Sequence, residues 1–427
     1  MTTLKQLEKA IMGAAESWQL RRVMVLCQEL LTAVPAADGA GRESRALALY
    51  YYGEASRRLG ELPGAIELFA QCVAVAGGDG RFAVQGLERW AHTLAQSGEI
   101  AAAKVKLQEA ALLAEKQGDL FCRAVVVQQQ GNLAWFEDHL DEALGFYQRA
   151  LDMYEELRDL PSQLNVWINI GLTQHYIGRL DKAIEGYEEG LKLARYLKHP
   201  AVGMLLSNLG ECYQDLLAMA QARTYHEQAI TAVHSLPLET DNLPSTLADI
   251  HRNLGVDLYY LGDIEGGRSQ LQKALALLRE EDDLDIRLQT LYTLALVELE
   301  QGQLEDAWEH IQKSLALAQQ YEMRVHVART MYLMGLYHQQ NGDVVAAQAA
   351  WQQSLFLTHE TGQRLVLWQG HVALGDVADN PALAMVHYQI AAEIIHQVTA
   401  PIADEALRRQ FLDAPQVKRV LTAVQKR

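Results

Sequence analysis

One spacing constrains what this chain can fold into more than any other property of its 427 residues. A small residue returns at Gly53, Ala91, Gly131, Gly171, Gly210, Gly255, Ala295, Gly335 and Gly375, at intervals of 38, 40, 40, 39, 45, 40, 40 and 40. Seven positions after most of these stands a glycine, at Gly60, Gly98, Gly178, Gly262, Gly302 and Gly342. Five positions past that turn the residue is small again, at Ala65, Ala103, Ala143, Ala183, Ala222, Gly267, Ala307 and Ala347. Twelve past it stand Cys72, Ala110, Ala150, Gly190, Ala229, Ala274, Ser314 and Ser354. A chain built from such units grows by stacking them along one axis, so its length does not count out separate globular domains.

Between the small positions lie bulky ones. Nine past the turn come Phe69, Leu107, Tyr147, Tyr187, Leu271, Ile311 and Trp351; four further on come Val73, Leu151, Leu191, Ile230, Leu275, Leu315 and Leu355. Apolar residues four apart, with small ones beside them, describe a helix stripe that a second helix approaches closely. Each period therefore predicts two antiparallel helices joined by a short turn, and the chain as a whole is expected to be all-α. Proline agrees: Pro161, Pro200, Pro237 and Pro244 are placed between repeats, and Pro63 and Pro381 just inside the start of a second helix, where no donor is lost.

A small residue, a turn glycine, alanine, an aromatic and a second small residue on a helix pair resemble the tetratricopeptide repeat (TPR). The period of about 40, and the segments Asn169-Ile170-Gly171, Asn208-Leu209-Gly210 and Asn253-Leu254-Gly255, resemble the longer-helix class found in kinesin light chain, the Pins family of spindle adaptors and the TPR regions of bacterial signalling proteins such as maltose-activator-like regulators. The resemblance runs over about residues 40 to 395 and implies a right-handed superhelical solenoid of about nine to ten repeats. It speaks to fold far more than to function, because such arrays serve many partners.

Residues 1–40 read as a divergent N-terminal capping pair, with Trp18 at the turn and Val23, Cys27 and Leu31 on the second stripe. Residues 41–395 read as the array. Residues 396–427 read as capping helices, in which Leu407 to Leu412 and Pro415 to Leu421 resemble the tails closing the TPR regions of bacterial signalling ATPases, cyclases and transcriptional activators. The long interval between Gly210 and Gly255 carries its extra residues around 235–245, as either a loop insertion or a hinge between two half-solenoids. The acidic run Glu280, Glu281, Asp282, Asp283 and Asp285 lacks the spaced ligands and central glycine of an EF-hand and reads as a solvated loop.

Catalysis finds no foothold. GxxxxGK[ST], HExxH and GxSxG are all absent from the sequence, and Gly77-Gly78-Asp79-Gly80 reads as a connector. The 14 histidines are scattered among different repeats; His226 takes an aromatic's place and reads as a packed core residue, and Cys72 holds a small packing position. No enzyme activity, cofactor or metal is therefore expected. A formal charge of −17, from 37 basic and 54 acidic residues, argues against nucleic acid and anionic membranes as partners. Four cysteines without a CxxC pair, an N-terminus unlike a signal peptide and no apolar run near 18 residues predict a cytoplasmic protein.

What remains is one helix face. Residues two and six before the small residue, and one and four after it, fall near a single face of the first helix, and the resemblance puts that face in a concave groove. Two before stand Arg89, Gln129, Asn169, Asn208, Asn253 and Thr293; six before, Gln85, Asn165, Asp249, Gln289, Arg329 and Gln369; four after, Trp135, His175, Gln214 and Tyr259, with His338 three after Gly335. A wet groove is polar in any case, yet asparagine, a poor helix former, recurs in three successive repeats, and its amide both donates and accepts. The resemblance to the Pins-like class implies that Asn169, Asn208 and Asn253 form a ladder holding an extended peptide by its backbone. Arg89, Arg252 and Arg329 would select acidic side chains or a carboxylate, and Trp135, Tyr259 and Tyr292 would read other side chains. The expected function is a non-catalytic scaffold for an extended segment of another protein; the alternative is a ligand- or peptide-sensing regulatory module. Self-association stays open.

Overall fold

The computed structural model describes residues 3–34, 41–78, 80–237, 240–241, 243–278, 283–361 and 364–425. Asp79 of the glycine-rich connector, and Glu280, Glu281 and Asp282 of the acidic run, lie outside the described residues, as does part of the 235–245 insertion. Among the described residues there are 22 helices and no strand. In chain order they are α1 (Leu4–Glu16), α2 (Leu20–Ala33), α3 (Arg42–Arg58), α4 (Leu62–Ala76), α5 (Arg81–Gln96), α6 (Ile100–Gln117), α7 (Leu120–Phe136), α8 (Leu140–Leu157), α9 (Leu160–Ile177), α10 (Leu180–Leu197) and α11 (Val202–Asp215). They continue as α12 (Met219–His234), α13 (Leu243–Tyr260), α14 (Ile264–Leu277), α15 (Leu284–Glu300), α16 (Leu304–Gln320), α17 (Arg324–Gln340), α18 (Val344–Thr361), α19 (Arg364–Asp376), α20 (Pro381–Thr399), α21 (Glu405–Leu412) and α22 (Pro415–Gln425).

The chain divides into two compact units. The first comprises residues 1–177, 185–205 and 234–242; the second comprises 178–184, 206–233 and 243–427. In the first, α1 packs on α2, α3 on α4, α5 on α6 and α7 on α8, while α1, α3, α5 and α7 also pack successively on one another. In the second, α13 packs on α14, α15 on α16, α17 on α18 and α19 on α20, with α13, α15, α17 and α19 again in succession. Each unit is thus helix pairs stacked in order, with the first helices forming a continuous layer.

The small residues set this pairing. A Cβ built on Gly171 would meet Tyr187 Cδ1 at 2.5 Å, one on Gly131 would meet Tyr147 Cε1 at 2.6 Å, and one on Gly255 would meet Leu271 Cγ at 2.7 Å. In each case the facing bulky residue lies sixteen positions on, so the glycine admits the side chain that locks the second helix onto the first. Ala65, Ala103, Ala143, Ala222 and Ala307 are fully buried, as are Cys72, Ala110, Ala150, Ala229 and Ala274. The interiors are close-packed, and an added methylene has no free volume to enter.

The turn glycines act through conformation alone: Gly60 and Gly98 both have φ of 85°, with open space where a Cβ would stand. The next residue's N–H bonds back into the first helix, as Glu61 N to Ser56 O at 2.9 Å and Glu99 N to Leu94 O at 2.8 Å, closing its C-terminus. Asp138 (φ 62°), Leu217 (φ 56°) and Trp18 (φ 54°) take the same left-handed conformation in pairs that lack the glycine, at about 1 kcal/mol each. Pro161 and Pro244 prove to be the second residues of α9 and α13 rather than connectors; a missing N–H is harmless in a first turn, where no intrahelical acceptor exists.

Two contacts reach far along the chain. In the first unit, Asp241 N donates to Trp18 O at 3.0 Å and the Asp241 carboxylate accepts from Arg21 N at 3.0 Å, so this part of the 235–245 insertion caps α2. In the second unit, Asp181 Oδ2 accepts from Ala403 N and Asp404 N, both at 3.1 Å, ahead of α21. There α20 is covered by α21 and α22, with Phe411, Val417 and Val420 buried in a cluster with Ala391 and Ile395.

Candidate peptide-binding groove

In the first unit the layer of first helices borders an open cavity of about 600 Å³, lined from α1, α3, α5, α7, α8 and α9. Four residues picked out by the repeat register meet there, Arg89, Gln129 and Asn165 among them. The fourth is Gln85, six before Ala91, with Tyr50, Phe121 and Tyr154 as aromatic walls. Asn165 is exposed, Arg89 half-buried and Gln129 buried.

A knot of charge lies beneath this surface. Glu54 of α3 takes both ends of the Arg57 guanidinium, at 2.9 and 2.7 Å, and Arg58 Nε at 2.8 Å. Burial opposes its ionisation, but Arg57, Arg89 and Arg58 outweigh it and hold the carboxyl well below the usual range. Glu88 of α5 is only 2% exposed, and its Oε1 stands 3.0 Å from Arg89 Nε, out of line for a hydrogen bond. Burial pushes Glu88 up to about 7, with Arg89 pulling the other way. His92 is driven down to about 3, first by burial and then by Arg57 and Arg89, so it is neutral. From His92 a chain of amides runs across the helices: His92 Nδ1 pairs with Gln129 Nε2 at 3.0 Å, Asn132 Nδ2 donates to Gln129 Oε1 at 2.8 Å, and Asn169 Nδ2 donates to Asn132 Oδ1 at 3.1 Å. Tyr147 donates its hydroxyl to the same Asn132 oxygen at 2.8 Å.

Residues 162–233 and 246–320 match the family model described as tetratricopeptide repeat. The chain carries tetratricopeptide repeats. Its structure is similar to the apo form of the quorum sensor NprR from B. thuringiensis, with a TM-score of 0.64 at 18% identity, over 83% of this chain and 98% of that one. It is also similar to a Rap protein complexed with competence and sporulation factor (TM-score 0.60, 12% identity, 93% and 99% covered) and to NprR in complex with its cognate peptide NprX (0.54, 16%, 92% and 99%). At these identities the likeness is one of fold, an all-α TPR solenoid. No curated protein matches the chain by sequence.

In the TPRs of the second unit the same register positions lie differently. Asn253 is fully buried; its amide donates to Glu211 Oε1 at 2.8 Å, and its Oδ1 has no partner among the described residues. Gln214 donates to Asn253 O at 2.8 Å and to Asp257 Oδ1 at 2.7 Å, and Asp257 Oδ2 lies 2.5 Å from His226 Nδ1, both side chains fully buried. Arg252 pairs with Asp249 at 2.8 Å and lies 3.7 Å from Glu211. Tyr259 is buried against Tyr260, Tyr292 and Arg329 are half-buried, and Asn208 is half-buried on α11. In the first unit Trp135 is exposed and meets Tyr176 edge-on at 6.0 Å, and His175 meets Tyr187 edge-on at 6.3 Å. Neither lines the cavity.

Glu54, Glu88, Asn132 and Tyr154 are cavity residues that the register reading did not name. Glu54 and Asn132 stand one position after Gly53 and Gly131, a place that helical geometry assigns to the same face. The register therefore held the signal for these two. All four cysteines are free and buried. Among the described residues no three His, Cys, Asp or Glu side chains are grouped to hold a metal, and no helix is long and apolar enough to cross a membrane.

Proposed function

We propose that this chain is a non-catalytic, cytoplasmic TPR module that binds an extended peptide segment of a partner in the first unit's groove. The observation that carries this reading is the cavity: amides, aromatic rings and a charged cluster from four successive first-helix repeats converge on a space of about 600 Å³, large enough for a few residues of peptide. Asn165, exposed at the cavity, supplies an amide that pairs with a peptide backbone, Gln129 and Asn132 line the same space and are steadied by the amide chain that ends at Asn169, and Arg89 sets charge preference. Trp135 and His175 belong to the first unit outside the cavity; Asn208, Asn253, Arg252, Arg329, Gln214, Tyr259 and Tyr292 belong to the second unit, where Asn253, Gln214 and Arg252 are engaged with Glu211, Asp257 and Asp249. Residues 1–40 and 396–427 serve as caps. The similar structures bear on a second reading, a peptide-sensing regulatory module: one is described as a quorum sensor, and two are complexed with the competence and sporulation factor or a cognate peptide.

The test is selection from a library of random octapeptides on the immobilised full chain, followed by affinity measurement of the enriched peptides. Binding is expected to weaken about tenfold in Asn165→Ala and in Arg89→Ala, equivalent to roughly 1.4 kcal/mol each. No enrichment, or enriched peptides that bind both variants as tightly as the parent, contradicts the reading.

A further inference from the structure

The charged knot at the cavity holds one buried guanidinium nitrogen, Arg89 Nε, that its neighbours leave without a hydrogen bond. Arg57 is bonded to Glu54 through two nitrogens and to Gln96 through a third, Arg58 is bonded to Glu54 through its Nε, and Arg81 lies over the Phe121 ring at 3.8 Å. Asp159 accepts from the backbone and hydroxyl of Ser162. Arg89 differs: its guanidinium donates to the Tyr50 hydroxyl, but its Nε has no hydrogen-bond partner among the described residues, Glu54 stands off at 3.9 Å, and Glu88 is near but misaligned. A guanidinium is a rigid fork suited to two parallel bonds with one carboxylate, and Glu88, the adjacent residue on the same helix, does not supply that geometry.

Resting on the groove reading above, we infer that Arg89 receives a carboxylate of the bound peptide, and that Glu88 is the internal counter-ion this carboxylate replaces, taking up a proton as it does so. The charged and titratable groups acting on Glu88 are Tyr50, Glu54 and Arg57 from α3, Arg89 from α5 and Tyr154 from α8. From α7 come the uncharged Gln128 and Gln129, and α4 and α6 pack on α5 with Val73, Ala103 and Leu107. Of these groups Arg89 offers Glu88 the larger counter-charge and Arg57 a smaller one. With a second carboxylate on Arg89, an ionised Glu88 keeps only the smaller influence of Arg57 against its burial, so it binds a proton from solvent and stays neutral. Carboxylate binding above pH about 7 is thereby linked to uptake of one proton and weakens as pH rises.

The experiment uses the immobilised full chain and three pools of N-acetylated random octapeptides of uncharged residues: one with a free C-terminal carboxylate, one C-terminally amidated, and one amidated with a single internal Asp or Glu. At pH 6 retention of a carboxylate-bearing pool is expected to exceed that of the neutral pool about tenfold, and the excess is expected to shrink several-fold by pH 8. Which of the two carboxylate pools shows it identifies the source. In Glu88→Gln the excess at pH 8 should equal that at pH 6; in Arg89→Gln the excess should vanish, with thermal melting as the control for folding. Equal retention of all pools, or a pH dependence that survives Glu88→Gln, overturns the inference. If the pools are retained equally but less by Asn165→Ala, the groove stands and the carboxylate assignment falls. If none is retained, both fall.

Discussion

The same register position behaves in opposite ways in the two units. Two residues before the small residue, the first unit has Arg89, half-buried at an open cavity, and the second has Asn253, which is sealed. The difference comes from what stands four residues after the small one. On α11 that residue is Gln214, long enough to reach Asn253 and Asp257 and to close the network with His226. On α5 it is Ala95, a short side chain packed in the apolar core with no polar group to reach the next helix. Periodicity thus selects the face, and the length of the neighbouring side chains decides whether that face is open or knitted shut.

Breaking the closed network should have the largest effect. Asp257→Ala leaves a fully buried His226 and the Gln214 amide without their partner, and is expected to lower stability by about 3 kcal/mol in chemical denaturation. An unchanged midpoint would mean that the second unit's polar residues are incidental to its packing.

The first unit's charge knot should show itself in pH dependence. A Glu88 pKa of about 7 in the folded state, against 4.5 in an unfolded chain, means that the native protein holds this proton more tightly. Its contribution to stability is complete below about pH 4.5 and is lost as pH rises through about 7. The loss is on the order of 3 to 4 kcal/mol, at about 1.4 kcal/mol per pKa unit. Glu88→Gln should therefore be more stable relative to the parent at pH 8 than at pH 5, and equal differences at the two pH values would contradict the burial argument.

The register that both units share can be tested on its own. Ala150→Leu forces three heavy atoms into a fully buried contact and should cost about 1 to 3 kcal/mol by thermal melting. The smallest effects come from a matched pair of truncations. Asn253→Ala removes buried hydrogen bonds and should cost about 1 kcal/mol, whereas Asn165→Ala, exposed at the cavity, should fall within about 0.5 kcal/mol of the parent. Equal losses would erase the distinction between the units.

Most of the fold could be read from the chain, because steric demands repeat: Gly131, Gly171 and Gly255 each face the bulky residue sixteen positions on. The turns at Asp138 and Leu217 were less legible, since a left-handed residue without glycine leaves no compositional mark. Of the groove, Arg89, Gln129 and Asn165 followed from the register, and Glu54 and Asn132 lay one position from named glycines. Glu88 did not follow: it sits three before Ala91 and is buried by α3 and α8, a tertiary effect that helical periodicity does not encode. The sealing of Asn253 likewise depends on Glu211 and Gln214 in a different helix.

The central claim, that the first unit's groove holds the peptide, is tested most directly by hydrogen exchange on the full chain with and without an octapeptide enriched from the random library. Slowed exchange is predicted in α3, α5, α7 and α9, around Glu54, Arg89, Gln129 and Asn165, with α13 and α15 unchanged. Protection confined to α13, α15 and α17, around Asn253, Tyr292 and Arg329, would place recognition in the second unit and contradict the account.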